Sequence, residues 1–230
     1  MSGEPRFLSR CRGASHSYVG SPHHEGVKLP TCYFKPPRGC SPTSHAPLLA
    51  HISNTSSLKP LGLLPTEVGA GVSLPGVVAA KCGAQVVLSD GEELPRCLRS
   101  CRRSCLANRL PHIPVLGLTW GRVSPELLAL PPVDIILGSD VFFDPKDFED
   151  ILTTVYFLLE KNPHAQFWTT YQVRSADWSM EALLCKWRLK SILVPLRSFG
   201  ADQEHLAGSS LPGRHTIEMM IISLAQSDGT

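Results

Sequence analysis

An α/β fold, with a mostly parallel sheet and an antiparallel final strand, is predicted by three features of this chain. From Leu61 onward, short apolar runs alternate with helical patterns; a parallel sheet covered on both faces reads this way. The last two strand-like runs are joined by the polar, glycine-bearing stretch 199–214, which has no helical period. The final pair is therefore expected to be antiparallel. Third, Glu67-Val68-Gly69-Ala70-Gly71 ends the first run and Leu74-Pro75-Gly76 opens a helix. Such a glycine turn between strand and helix lets the backbone approach a ligand closely, because glycine has no Cβ and tolerates positive φ.

The elements follow in order. Leu61–Val68 is the first strand, weakened by Pro65, which lacks a ladder donor. Leu74–Cys82 is a helix that Gly83 ends, and Val86–Ser89 is the second strand, tipped by Asp90. Glu93–Asn108 is a helix rich in Arg and Cys, and Ile113–Leu118 is strand three. Val133–Leu137, apolar but for Asp134, is strand four and leads into Gly138-Ser139-Asp140. Asp147–Leu159 is an amphipathic helix whose first-turn acids suit the dipole. Gln166–Tyr171 is strand five, and Asp177–Lys190 is a helix capped by Asp177. Ser191–Pro195 and His215–Ala225 are the last two strands.

Residues 1–60 show neither the strand period of 2 nor the helical period of 3.6 and are punctuated by Pro22, Pro30, Pro36, Pro37, Pro42, Pro47 and Pro60. Such a composition buries too little apolar surface to offset its ordering entropy. A disordered tail, dispensable for the core, is expected over 1–60, with the folded domain over 61–230. Seven of the 22 Lys/Arg lie in the tail against two acids, so the tail is basic and the remainder slightly acidic. The whole chain carries a net charge of +2, which does not advertise a polyanionic partner, and no direct nucleic-acid binding is expected. No apolar run approaches the ~18 residues of a membrane helix. No secretory h-region follows the start, so an intracellular protein with no membrane partner is expected. Cys97, Cys101 and Cys105 recur every four residues on one side of a helix. That is not a zinc spacing; they read as small, mostly buried, reduced side chains. Cys11, Cys32 and Cys40, with His16, His23, His24 and His45, are too irregular for a structural metal site.

The glycine spacing bears on the ligand. A dinucleotide fingerprint is G-x-G-x-x-G, but here the third glycine comes late, at Gly76. A pyrophosphate wants bare amides at a helix N-terminus. This turn has Glu67 beside it, which would repel a diphosphate and suit a ligand with a cationic amino-acid end, such as S-adenosylmethionine. Asp90, at the tip of the next strand, can accept hydrogen bonds from both ribose hydroxyls. Asp140 ends strand four, at the carboxyl edge where ligands bind in open α/β sheets. A short-chain NAD-dependent dehydrogenase would want Tyr-x-x-x-Lys, and none of Tyr18, Tyr33, Tyr156 and Tyr171 has Lys four places on.

The strand order resembles the Rossmann-like, seven-strand S-adenosylmethionine-dependent methyltransferase fold. Glu67–Gly76, Gly117-Leu118-Thr119-Trp120-Gly121, Asp134–Asp144 and Trp168–Trp178, with Leu211-Pro212-Gly213-Arg214-His215, are similar to the methyltransferase-like family of protein methylases over roughly residues 67–228. The resemblance implies S-adenosylmethionine as cofactor, histone-directed protein-arginine methylation, and residence in nucleus and cytoplasm. It implies Glu67, Gly69 and Gly71 at the methionine end of the cofactor, Asp90 at the ribose and Trp120 against adenine. It also implies Asp140 as the catalytic acid of an acid-x-x-aromatic motif, Asp140-Val141-Phe142-Phe143. Phe143 stands where relatives often have Tyr, and Phe143, Tyr171 and Arg174 would shape the acceptor pocket. Relatives carry a helix with a Trp-Pro pair and a long apolar first strand before the glycine loop; here the Pro/Ser-rich tail replaces them. Three functional readings stay open: an arginine acceptor held by Asp140, a lysine acceptor in a narrow channel of Phe142 and Phe143, and a catalytically impaired interaction protein.

Overall fold

The structure, a computed structural model, describes residues 48, 51–52, 64–173, 179–199, 201 and 217–225. Seven strands form one sheet: β1 (Pro65–Glu67), β2 (Val87–Asp90), β3 (Val115–Gly117), β4 (Ile135–Ser139), β5 (Gln166–Gln172), β6 (Leu189–Leu193) and β7 (Ile217–Leu224). Their spatial order is β3-β2-β1-β4-β5-β7-β6. Strands β1 to β5 run parallel, and β7 runs antiparallel between β5 and β6, as the missing helical crossover predicts. The connecting helices are α1 (Leu74–Lys81), α2 (Pro95–Ala107), α3 (Pro125–Leu128), α4 (Phe148–Lys161) and α5 (Met180–Lys186).

Side chains alternate across a strand, and that alternation divides the core in two. Ile136, Phe167 and Ile222 point to the face covered by α4 and α5, where they meet Ile151, Leu158 and Leu184. Their neighbours Ile135, Leu137 and Trp168 point to the other face, with Val78 and Ala79 of α1 and Cys101 and Cys105 of α2. The chain leaves β1 toward β2 on one side and returns to β4 on the other. The carboxyl ends of β1 and β4 therefore flank the switch point where ligands bind in open α/β sheets.

Pro65 is the first residue of β1, a position where the missing donor does little harm. The strand is shorter than the expected Leu61–Val68, of which 61–63 lie outside the described residues. Its entry is tied on both sides of the peptide: Leu64 N donates to Asp134 Oδ2 at 3.0 Å, and Asp134 N donates to Leu64 O at 3.3 Å. Past its end, Val68 N donates to Leu137 O at 2.9 Å. The centre of the sheet is thus closed despite the proline.

The core also reaches further toward the N-terminus than the expected boundary at Leu61. Leu48, His51 and Ile52 are helical, spaced to share one face. Leu48 and Ile52 are 0% and 1% exposed and lie in the cluster of Ala79, Leu137 and Trp168. The His51 ring packs edge-on to Trp168 at 4.7 Å, and burial holds its imidazole below the ordinary range. A boundary at Leu61 leaves these residues out of a core that contains them.

Two other boundaries differ. α5 stops at Lys186 and Arg188 turns at φ 52, so β6 begins at Leu189, inside the expected helix. Ser179 caps α5, accepting from Ala182 N at 3.1 Å; Asp177, the expected cap, lies outside the described residues. The short α3, capped by Ser124, was not expected.

Candidate functional site

The turn after β1 packs three left-handed residues into five positions: Gly69 at φ 62, Gly71 at φ 54 and Ser73 at φ 60. The two glycines serve different ends. A Cβ on Gly69 would lie 2.7 Å from Trp120 Cζ2 and 3.1 Å from Val141 Cγ1, so the bare Cα lets the indole close on the turn. A Cβ on Gly71 would meet nothing within 4 Å and would project into open space. Ala70 N donates to Ser89 O at 2.9 Å, which pins the turn to β2.

The two acids flanking the turn hold it. Asp90 is nearly buried, and it accepts from Gly71 N at 2.6 Å through Oδ2 and from Gly91 N at 2.8 Å through Oδ1. Burial raises its pKa against the opposing effect of those two amides, and Glu93 nearby adds to the rise. Each oxygen keeps a second lone pair for a hydroxyl donor. Glu67 is 2% exposed and turns beneath the loop, where Oε2 accepts from Gly76 N at 3.0 Å. Burial pushes its carboxyl well above the ordinary range, with Gly76 N opposing and Asp90 adding. The expectation set Glu67 against the cationic end of a ligand. The structure instead makes it the brace between turn and α1, because the amide that it accepts from lies inside the protein. Gly76 is required for the same reason: a Cβ there would sit 2.6 Å from Glu67 Oε2. From α2, the Cys101 thiol donates to Gly71 O at 3.4 Å; burial pushes that thiol up to about 12, so it stays protonated. Cys97, Cys101 and Cys105 form no disulfide, and Cys101 and Cys105 are buried.

Trp120 is half-buried at the rim, over Gly69. Its position is fixed by the next residue: Gly121, at φ 77, donates its N–H to Thr154 Oγ1 of α4 at 3.0 Å. Glu93 and Thr119, which sequence reasoning missed, complete this rim through a 3.3 Å bond from Thr119 Oγ1 to Glu93 Oε2. The bare Gly91 beside Asp90 was the available signal, since the Glu93 carboxyl occupies the space of its absent Cβ.

On the other side of the switch point stands Asp140, 2% exposed and left-handed at φ 56. A non-glycine residue in this region carries strain of about 1–3 kcal/mol, and such residues cluster at functional sites. Its N–H donates to Thr170 O at 3.0 Å and its Oδ1 accepts from Gln172 N at 3.4 Å, which clamps the ends of β4 and β5 together. Phe143 is half-buried in the turn beyond it. Phe142 is not at the surface: it is wholly buried, edge-on to Phe148 at 5.4 Å and Phe167 at 6.3 Å. A channel built from both rings is therefore excluded, because Phe142 is packed into the core. Tyr171 lies within β5 and is 2% exposed, with its ring in the hydrophobic cluster. Arg174 lies outside the described residues. Asp144 caps the next turn, accepting from Lys146 N and pairing with Lys146 Nζ at 2.8 Å. Beside it Pro145, Phe148, Ser179, Met180 and Leu183 line a small apolar cavity of about 150 Å³.

This donor set fits S-adenosylmethionine. The open space over Gly71, the acid at the tip of β2 and the indole over Gly69 offer a close backbone, a ribose acceptor and an apolar ring surface side by side. Among the described residues no group of three or more His, Cys, Asp or Glu could hold a metal ion, and no helix is long and apolar enough to cross a membrane.

Comparison with known proteins agrees with this geometry. A family model described as lysine methyltransferase matches residues 47–181. The chain is 72% identical over 158 residues to the histone-arginine methyltransferase METTL23 of Xenopus laevis, covering 69% of this chain and 68% of the relative. It is 67% identical over 160 residues to the protein of that name from Homo sapiens, covering 70% and 84%. Among solved structures, a TehB-like SAM-dependent methyltransferase from Corynebacterium glutamicum superposes with a TM-score of 0.53 at 12% identity, over 77% of this chain and 87% of that one. The last likeness concerns the fold alone.

Proposed function

The chain belongs to the family whose model, described as lysine methyltransferase, spans residues 47–181, and from the names of its similar proteins we propose that it methylates arginine on a histone. One observation carries the reading in this chain. A ligand-ready glycine turn and a strained, buried aspartate sit on adjacent strand ends at the switch point of the sheet. The short first strand leaves that arrangement whole, which weighs against an interaction protein without catalysis. The names of the similar proteins from Xenopus laevis and Homo sapiens support histone arginine as the acceptor.

Gly69, Gly71 and Asp90 would hold the cofactor, with Trp120 against its base. When bound, S-adenosylmethionine supplies an electrophilic methyl whose transfer leaves a neutral thioether. With no charge on the leaving group to stabilise, the protein mainly aligns the reactants, and alignment is worth several kcal/mol. Asp140 follows the end of β4, at the carboxyl edge of the sheet. Its carboxylate would hold a guanidinium by charge-assisted hydrogen bonds and orient the attacking nitrogen. The proton released by the methylated guanidinium passes to solvent. The burial of Phe142 removes one wall of the aromatic channel that a lysine acceptor would want. A histone substrate implies work in the nucleus, with the cytoplasm as the place of synthesis.

The test is methylation of paired histone peptides that differ only in Arg or Lys at the acceptor position. Transfer to the arginine peptide alone is expected. Transfer to the lysine peptide alone would overturn the arginine assignment.

A further inference from the structure

α2 has two unlike faces. Cys101, Ser104 and Cys105 are buried against the sheet, and Asn108 continues that face. Arg96, Arg99, Arg102 and Arg103 are exposed, as is Arg109 just past the helix end. At 3.6 residues per turn Arg96, Arg99, Arg102 and Arg103 fall within one arc opposite the cysteines, and Arg109 follows in a left-handed turn past the helix end. At 1.5 Å per residue the helical part of the ridge rises about 10 Å from Arg96 to Arg103. None of the five pairs with a carboxylate among the described residues; Arg102 reaches only the carbonyl of Val115, at 3.4 Å. The acid nearest in sequence that has a described contact, Glu93, is turned toward Gly91 and Thr119.

This arrangement works against the helix itself. Arg96 and Arg99, Arg99 and Arg102, and Arg99 and Arg103 are like-charged pairs three or four residues apart, each costing a few tenths of a kcal/mol. No carboxylate among the described residues offsets them, which leaves the ridge open to an anionic partner.

We propose that this face of α2 is a docking ridge for duplex DNA, gripping the phosphate backbone without reading sequence. The guanidinium fork matches phosphate oxygens in pairs, and all five cations are Arg rather than Lys. The choice of a duplex over an acidic protein rests on the proposed histone substrate, which is found wrapped in DNA. α2 covers the sheet face opposite to α4 and α5, so the ridge is separate from Asp140 and the cavity beside it. DNA could hold the enzyme there while the acceptor cleft takes a histone tail. The modest net charge of the chain hides the ridge, because acids elsewhere cancel it in the sum.

The full chain is titrated into two labelled 20-base-pair duplexes of unrelated sequence, by fluorescence anisotropy, across a salt series. Equal affinity for both is expected. Removing one arginine from the phosphate backbone should reduce the salt slope by about 0.9, so R99Q/R103Q should reduce it by about 1.8 and weaken low-salt binding by about tenfold or more. Calorimetric titration with S-adenosylhomocysteine should give the same affinity for variant and parent, which shows that the variant is folded. Absence of duplex binding at low salt, a variant that binds as the parent does, or displacement by poly-glutamate at equal charge would each overturn the ridge. Duplex binding without histone methylation would leave the ridge standing and overturn the proposed reaction; methylation without duplex binding would do the reverse.

Discussion

Gly69→Ala and Gly71→Ala form a pair that separates two demands on one turn. Both residues are left-handed, at φ 62 and φ 54, so each alanine meets a backbone penalty of about 1–2 kcal/mol. Gly69→Ala also drives a methyl to 2.7 Å from the Trp120 ring and 3.1 Å from Val141, and overpacking of that kind costs about 1–3 kcal/mol. The expected losses are about 2–5 kcal/mol for Gly69→Ala and about 1–2 kcal/mol for Gly71→Ala. Urea unfolding followed by circular dichroism reads both. The order reverses for the ligand. S-adenosylhomocysteine at a hundred times its Kd should stabilise the parent by about 2.7 kcal/mol. Gly71→Ala should gain far less, because its methyl enters the open space that the ligand needs. Equal destabilisation by the two alanines would refute the packing of Trp120 on the turn. Full ligand stabilisation of Gly71→Ala would refute the placement of the cofactor.

Other expectations are independent of that pair. Asp140→Asn keeps an acceptor for Gln172 N but loses the charge, and methylation of an arginine peptide should fall by ~10²-fold or more with S-adenosylhomocysteine affinity retained; parallel loss of both would assign Asp140 a structural role alone. Asp90→Ala should weaken cofactor binding by ~1.5–3 kcal/mol in calorimetry, and an unchanged affinity in a folded variant would rule out the ribose assignment. Burial holds Glu67 above its ordinary 4.5, so the folded protein keeps a proton that the unfolded chain releases. Unfolding free energy should therefore fall as pH rises from about 4.5 through the raised value, and Glu67→Gln should flatten that fall. Ile52→Ala should cost about 2–4 kcal/mol of stability if the 48–52 segment belongs to the core; a change below about 0.5 kcal/mol would detach it.

The strands were legible because a buried parallel strand leaves a short apolar run whatever surrounds it. Val133–Leu137 announced β4, and the polar 199–214 stretch announced the reversal at β7. The glycine turn could be read because Gly69 and Gly71 are demanded by backbone geometry, which acts locally. Side-chain direction was harder to read. Glu67 was placed in the turn correctly, yet whether it faces ligand or core depends on the amide of Gly76 nine residues on. Phe142 and Phe143 look alike in sequence, and only the path of the chain after β4 sends one inward. The helical residues at 48–52 were hidden for another reason: a single helical turn is too short to show a period, and its burial depends on a surface made by Ala79, Leu137 and Trp168.

The three residues of β1 also set a constraint on how the domain is made. Thr66 registers with Val87 on one side and with Ile136 on the other, so its second partner is synthesised about seventy residues later. At ~5–20 residues per second, the emerging chain waits on the order of 4–14 s between making β1 and making β4. During that interval β2 can join β1 and β3 can join β2, but the other edge of β1 has nothing to bond. The strand that will divide cofactor from acceptor therefore spends the early life of the polypeptide as an open edge, and the catalytic cleft can form only when β4 closes it.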